Sequence, residues 1–104
     1  MIYTIEQITS KAKPIAEMYG INHLYLFGSY ARGEADEESD LDFVYDTDIP
    51  VLEFSKHYRF FLEALRNSFE VPVDVLSLKD LERAKLPRVL EVKENFEKEK
   101  VMLL

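Results

Sequence analysis

The sequence contains no cysteine, which excludes a disulfide framework and a thiolate zinc site. Its two histidines, His23 and His57, stand in no metal-ligand spacing and are read as structural. Three glycines and four prolines are too few for a flexible linker or a low-complexity tract. No stretch approaches the ~20 consecutive apolar residues of a membrane span. Residues Met1 to Glu6 lack the basic region and apolar run of a secretory signal. The expectation is a soluble, cytoplasmic protein with no membrane partner. Positive charge is also scarce: 13 Lys and Arg stand against 20 Asp and Glu, a net charge of −7. Nucleic acid is gripped through basic surface, so direct nucleic-acid binding is not expected. An enzyme that neutralises a triphosphate with metal ions remains open.

The 104 residues fit one domain, taken as 1–104. Hydrophobic residues make up 47% of them, enough for a globular core. Thr4 followed by Gln7 is a capping-box pattern, and Ile5, Ile8, Ala12, Ile15 and Tyr19 then recur at helical spacing. Pro14 lies inside this pattern, where it is expected to kink or split the helix, and Gly20 is a stop. Leu24-Tyr25-Leu26-Phe27 reads as a buried strand and Gly28 to Gly33 as a turn into a short helix. Glu34 to Ser39 is a polar loop, and Leu41 to Tyr45 a second strand. From Pro50 to Phe69, an apolar stripe of Phe54, Tyr58, Phe61, Leu65 and Phe69 predicts a long helix, with Phe60 off the stripe. Val71 to Leu76 is a third strand with Pro72 near its start. Asp80 is expected to cap a short helix ending near Lys85. Pro87 opens a last helix with Val89, Val92 and Phe96 inward, and Val101 to Leu104 is an apolar tail, read as an edge strand. This alternation predicts an α/β fold, a small three- to four-stranded mixed sheet with helices packed on it.

Chemistry concentrates between Leu24 and Asp46. Gly28-Ser29 ends a strand and begins a helix: glycine lets a phosphate approach the backbone, helix-start N–H groups favour an anion, and the Ser29 hydroxyl adds a donor. Alone, such a dipeptide is more often a plain turn. Asp40-Leu41-Asp42 enters the second strand. Side chains alternate along a strand, which puts both carboxylates on one face with Cα atoms about 6.5–7 Å apart. Such a pair can share divalent ions, and two ions about 3.5–4 Å apart clamp the attacking and leaving oxygens of phosphoryl chemistry. The bland alternative is an acidic loop. Asp74 is a carboxylate in a mostly apolar strand, costly unless paired or metal-bound, or else an edge residue in water. Beside the Asp42 strand it would complete a three-carboxylate cluster.

Taken together, Gly28-Ser29-Tyr30-Ala31-Arg32-Gly33 and Ser39-Asp40-Leu41-Asp42, with ten residues between Ser29 and Asp40, resemble the signature of the nucleotidyltransferase superfamily related to DNA polymerase beta, in its minimal nucleotidyltransferase (MNT) branch. The resemblance implies the nucleotidyltransferase fold. It implies that Gly28 and Ser29 hold the β- and γ-phosphates of ATP, and that Asp40 and Asp42 bind two Mg²⁺ ions. Asp74 would bind one ion and activate the acceptor hydroxyl. Arg32 is either a phosphate contact or a surface ion pair with the Glu34–Glu38 loop. MNT proteins of this size resemble antitoxins that transfer AMP from ATP to a tyrosine of a HEPN-type RNase toxin. Two other functions stand beside that one: an antitoxin that acts by contact alone, and a transferase acting on a small molecule or RNA. Phe60 and the tail Val101-Met102-Leu103-Leu104 are candidates for a protein interface, or else simply core.

Overall fold

The computed structural model describes residues 2–104. Helix α1, Ile5–Met18, starts at Thr4, whose hydroxyl accepts from the Gln7 N–H at 3.1 Å while the Gln7 amide oxygen accepts from the Thr4 N–H at 2.8 Å. The predicted capping box is therefore closed in both directions. Of the two outcomes expected at Pro14, the split does not occur: α1 runs through it as one helix. The fully buried Ala12 and Ala16 anchor the helix to the core on either side of it, so tertiary packing overrides the lost N–H bond. Gly20, at φ +75°, terminates the segment as predicted.

The chain continues through β1 (His23–Phe27), α2 (Ser29–Arg32), β2 (Leu41–Asp46), α3 (Val51–Ser68), β3 (Val73–Ser77), α4 (Leu78–Arg83), α5 (Pro87–Glu99) and β4 (Val101–Met102). The strands form one mixed sheet in the order β3-β2-β1-β4. β2 and β3 run parallel, as a strand–helix–strand unit requires, whereas β1 pairs antiparallel with β2 and with β4. This is the expected four-stranded α/β arrangement.

Strand alternation gives the sheet two unequal faces. Helices α1 and α3 cover the larger one. There Leu24, Leu26, Leu41, Phe43 and Val73 from the sheet meet Ile8, Ala12, Phe54, Phe61, Leu65 and Phe69. The α3 stripe packs as its spacing predicts, and Phe60 is 56% exposed. The smaller face carries Phe27 and Val44, covered by Leu81 of α4 and Phe96 of α5. The Phe96 ring stands edge-on to Tyr25 at 5.5 Å and to Phe27 at 5.8 Å. Burying one such ring stabilises by about 1.5–3 kcal/mol, which fixes α5 over β1.

Two local expectations need correction, and the tail, whose Val101–Met102 forms the edge strand β4 as expected, is decided between its two readings. Asp80 does not cap α4: β3 runs directly into that helix after Ser77, so Asp80 falls in its first turn. There its charge still suits the helix dipole. β3 begins at Val73 because Pro72 has no N–H for the ladder; the Pro72 carbonyl accepts from the Leu41 N–H at 2.9 Å instead. The tail is mostly core: Leu103 is buried and donates its N–H to the Leu24 carbonyl at 2.8 Å, which leaves Met102 as the exposed apolar residue. Among the described residues no helix is long and apolar enough to cross a membrane.

Candidate active site

The two parts of the sequence motif meet because of strand register. Phe27, the last residue of β1, pairs with Asp42, and Asp42 pairs with Asp74 on the parallel strand β3. Neighbouring strands lie about 4.8 Å apart, so Asp42 and Asp74 stand side by side on the smaller face of the sheet. Asp40 immediately precedes β2. Its loop is tied to itself: the Asp36 carboxylate accepts from the Glu38 N–H at 2.8 Å and from the Ser39 hydroxyl at 3.2 Å. β3 is an edge strand and Asp74 is exposed, so this carboxylate keeps its hydration while remaining next to Asp42. The reading of Asp74 as an exposed edge residue therefore holds, and the register also places it beside Asp42.

Gly28 links β1 to α2 at φ +80°. This left-handed backbone conformation suits glycine. A second constraint is steric: a Cβ at this position would lie 2.5 Å from Asp42 Oδ2. The bare backbone of residue 28 is what allows the Asp42 carboxylate to lie against the turn. Ser29 opens α2, and its hydroxyl makes no hydrogen bond among the described residues.

Electrostatically, the cluster is under tension. Asp42 is raised from 3.8 to about 6, chiefly by burial, then by the negative charges of Asp74 and Asp40, with Arg32 opposing the rise and Glu99 adding to it. Like charges crowd here without full neutralisation. Arg32 does pair with the acidic loop, Nε to Glu34 at 3.1 Å, but also with Glu99 at 2.9 Å. The same Glu99 carboxylate accepts from the Gly28 N–H at 3.2 Å. Sequence reasoning missed Glu99. It lies 71 positions from Gly28, in a helix rich in Glu and Lys, and no local pattern distinguishes it from its neighbours.

The donor set suits a hard cation. All three aspartates offer oxygen, and a divalent ion would offset the negative charge that adds to the effect of burial at Asp42. Among the described residues no three or more His, Cys, Asp or Glu converge into a ready-made cage. Mg²⁺ is held by one or two carboxylates together with substrate phosphates, so Asp42 with Asp40 or Asp74 fits that mode. The two histidines lie elsewhere. His23 is at the opposite end of β1, paired with Asp46, with its Nδ1 3.2 Å from the Leu104 carbonyl oxygen. His57 is exposed on α3. A cavity of about 600 Å³ among Tyr45, Phe54, Tyr58, Leu81, Val89 and Val92 includes none of the motif residues.

Residues 8–103 match the family model of the nucleotidyltransferase domain. The chain is 40% identical over 67 residues to protein adenylyltransferase MntA of Thermococcus cleftensis, a match covering 60% of this chain and 68% of that protein. A solved structure provisionally described as a minimal nucleotidyltransferase aligns over 95% of both chains with a TM-score of 0.65 and 27% identity. A chain from the complex of a tri-AMPylated Shewanella oneidensis HEPN toxin with its MNT antitoxin has the same fold, with a TM-score of 0.62. At 14% identity, that match covers 95% of this chain and 71% of the other. The chain belongs to the nucleotidyltransferase domain family and is a nucleotidyltransferase.

Proposed function

We propose that this protein transfers AMP from ATP, with Mg²⁺, to a tyrosine hydroxyl of a HEPN-type toxin and so acts as its antitoxin. The observation that carries the reading is the register Phe27–Asp42–Asp74 across three strands, which brings the Gly28 turn and the acidic cluster to one end of the sheet. Similarity to a named protein adenylyltransferase and fold likeness to a complex containing an AMPylated HEPN toxin support the choice of donor and partner.

In this reading Gly28 and Ser29 seat the β- and γ-phosphates, and Asp40, Asp42 and Asp74 hold the metal ions. Bound Mg²⁺ would supply charge neutralisation at the phosphates. Asp74, exposed beside Asp42, accepts the proton of the incoming hydroxyl. The acceptor oxygen bonds to the α-phosphorus as the bond to the bridging oxygen breaks, and pyrophosphate leaves. The protein contributes position and charge rather than a covalent intermediate.

The test is transfer of label from α-phosphate-labelled ATP and Mg²⁺ to the protein encoded by the neighbouring gene, with Asp42→Asn as control. Label on that protein, lost in the control, is the expected result. Tight association without transfer under any nucleotide or metal would replace this reading with an antitoxin acting by contact alone. Labelling of RNA or a small molecule by the chain alone would point to a different acceptor.

A further inference from the structure

The Gly28 turn is already occupied by an anion supplied by the chain itself. Phe96 is 2% exposed and locked edge-on against Tyr25 and Phe27. Glu99 follows it by three residues, and positions three apart share a helix face. The packing that buries Phe96 therefore hangs Glu99 over the end of β1. Both carboxylate oxygens are used there, one accepting from the Gly28 N–H at 3.2 Å and the other pairing with the Arg32 guanidinium at 2.9 Å. The Glu99 side chain is only 18% exposed. Ion pairs between freely exposed side chains contribute little, but this one is partly sheltered and tied to the backbone.

The placement of Glu99 also carries an electrostatic cost. Asp40, Asp42 and Asp74 already crowd this end of the sheet, and Glu99 adds a fourth negative charge beside Asp42. A carboxylate that bridges a backbone N–H and a guanidinium occupies the kind of donor pair that a phosphate oxygen uses. We propose that Glu99 is an internal competitor for the nucleotide. It holds the phosphate seat of Gly28 and Arg32 in the free protein and must leave when the triphosphate arrives, so that nucleotide affinity is set by this exchange. The inference rests on the nucleotide-site reading given above and goes beyond it by naming the residue that opposes binding.

Titration calorimetry of the full chain with α,β-methylene ATP and Mg²⁺, and separately with pyrophosphate and Mg²⁺, tests the exchange. The series is wild type, Glu99→Gln and Glu99→Ala, each checked for folding by thermal melting. Both variants should bind both ligands roughly tenfold more tightly, the scale of one charge-assisted hydrogen bond removed from the competitor. Unchanged or weaker binding by the variants, with wild type still binding, would overturn the competitor role and leave the nucleotide site standing. If no form binds either ligand, the nucleotide-site reading falls and the inference with it. A wild-type measurement guards against unfolded variants. Adding pyrophosphate and Mg²⁺ should move the Glu99 carboxyl ¹³C resonance together with the Gly28 amide resonance. Movement of Gly28 with Glu99 unchanged would refute the exchange.

Discussion

Replacing Asp42 with asparagine should make the metal-free protein more stable while abolishing transfer. The folded chain holds this carboxyl at about 6 instead of 3.8. About two pKa units correspond to about 3 kcal/mol. Part of that shift comes from Asp40 and Asp74, which are exposed and therefore screened by salt and solvent, so about 1–3 kcal/mol is the working range. The sign follows from linkage. The group is raised on folding, so the unfolded chain releases this proton first. The stability tied to it is complete well below pH 3.8, is lost as pH rises toward 6, and stays lost above that. At pH 7.5 in a chelator, Asp42→Asn should therefore melt about 5–15 °C higher than wild type. The gap should narrow steadily on acidification and close about a unit below 3.8, near pH 3, where the wild-type carboxyl is neutral in both states. Denaturant titrations across that range measure it directly. A variant no more stable than wild type at pH 7.5, or a gap independent of pH, would refute the claim that burial of the Asp42 charge, with the neighbouring carboxylates, strains the fold.

Two further substitutions test the architecture. Gly28→Ala puts an L-residue at φ +80° and a Cβ 2.5 Å from Asp42 Oδ2. The backbone term alone is about 1–2 kcal/mol, and the displaced carboxylate should lower transfer at least about a hundredfold; melting curves and label transfer read the two effects separately. Phe96→Ala removes the ring that fixes α5 against Tyr25 and Phe27. A loss of about 3–5 kcal/mol in denaturant unfolding is expected, together with weaker protection of the Gly28 amide in hydrogen exchange, because Glu99 loses its anchor.

What could be read in advance follows from how far each signal reaches along the chain. The capping box of Thr4 and Gln7, the α3 stripe and the alternation across Asp40-Leu41-Asp42 are encoded within a few residues, and helix or strand period suffices to see them. Asp80, and Pro14 as a point of splitting, misled because local propensity was set against contacts it cannot see: a strand running straight into a helix in the first case, the buried flanks of α1 in the second. Asp74 is intermediate. Its residue type and strand were legible, but its meaning depended on which strand lies beside it, and only the parallel pairing of β2 with β3 answers that.

Glu99 marks the far limit, and the reason is physical. A local pattern arises where neighbouring residues share one helix face or one strand face. A residue that acts by reaching the opposite end of the chain leaves no such trace, especially within a helix whose other Glu and Lys residues face water. The indirect trace is Phe96, whose inward spacing with Val89 and Val92 was legible and whose burial fixes where the next turn of α5 ends. A general way to find such partners follows. Once a buried anchor and its contact on the sheet are known, the polar residue three or four positions further on is the one delivered to that strand's end. Applied to α5, the anchor Phe96 on Phe27 delivers Glu99 to Gly28. The hydrophobic core and the charge at the site are thus two consequences of a single helix placement. A change that loosens one should alter the other.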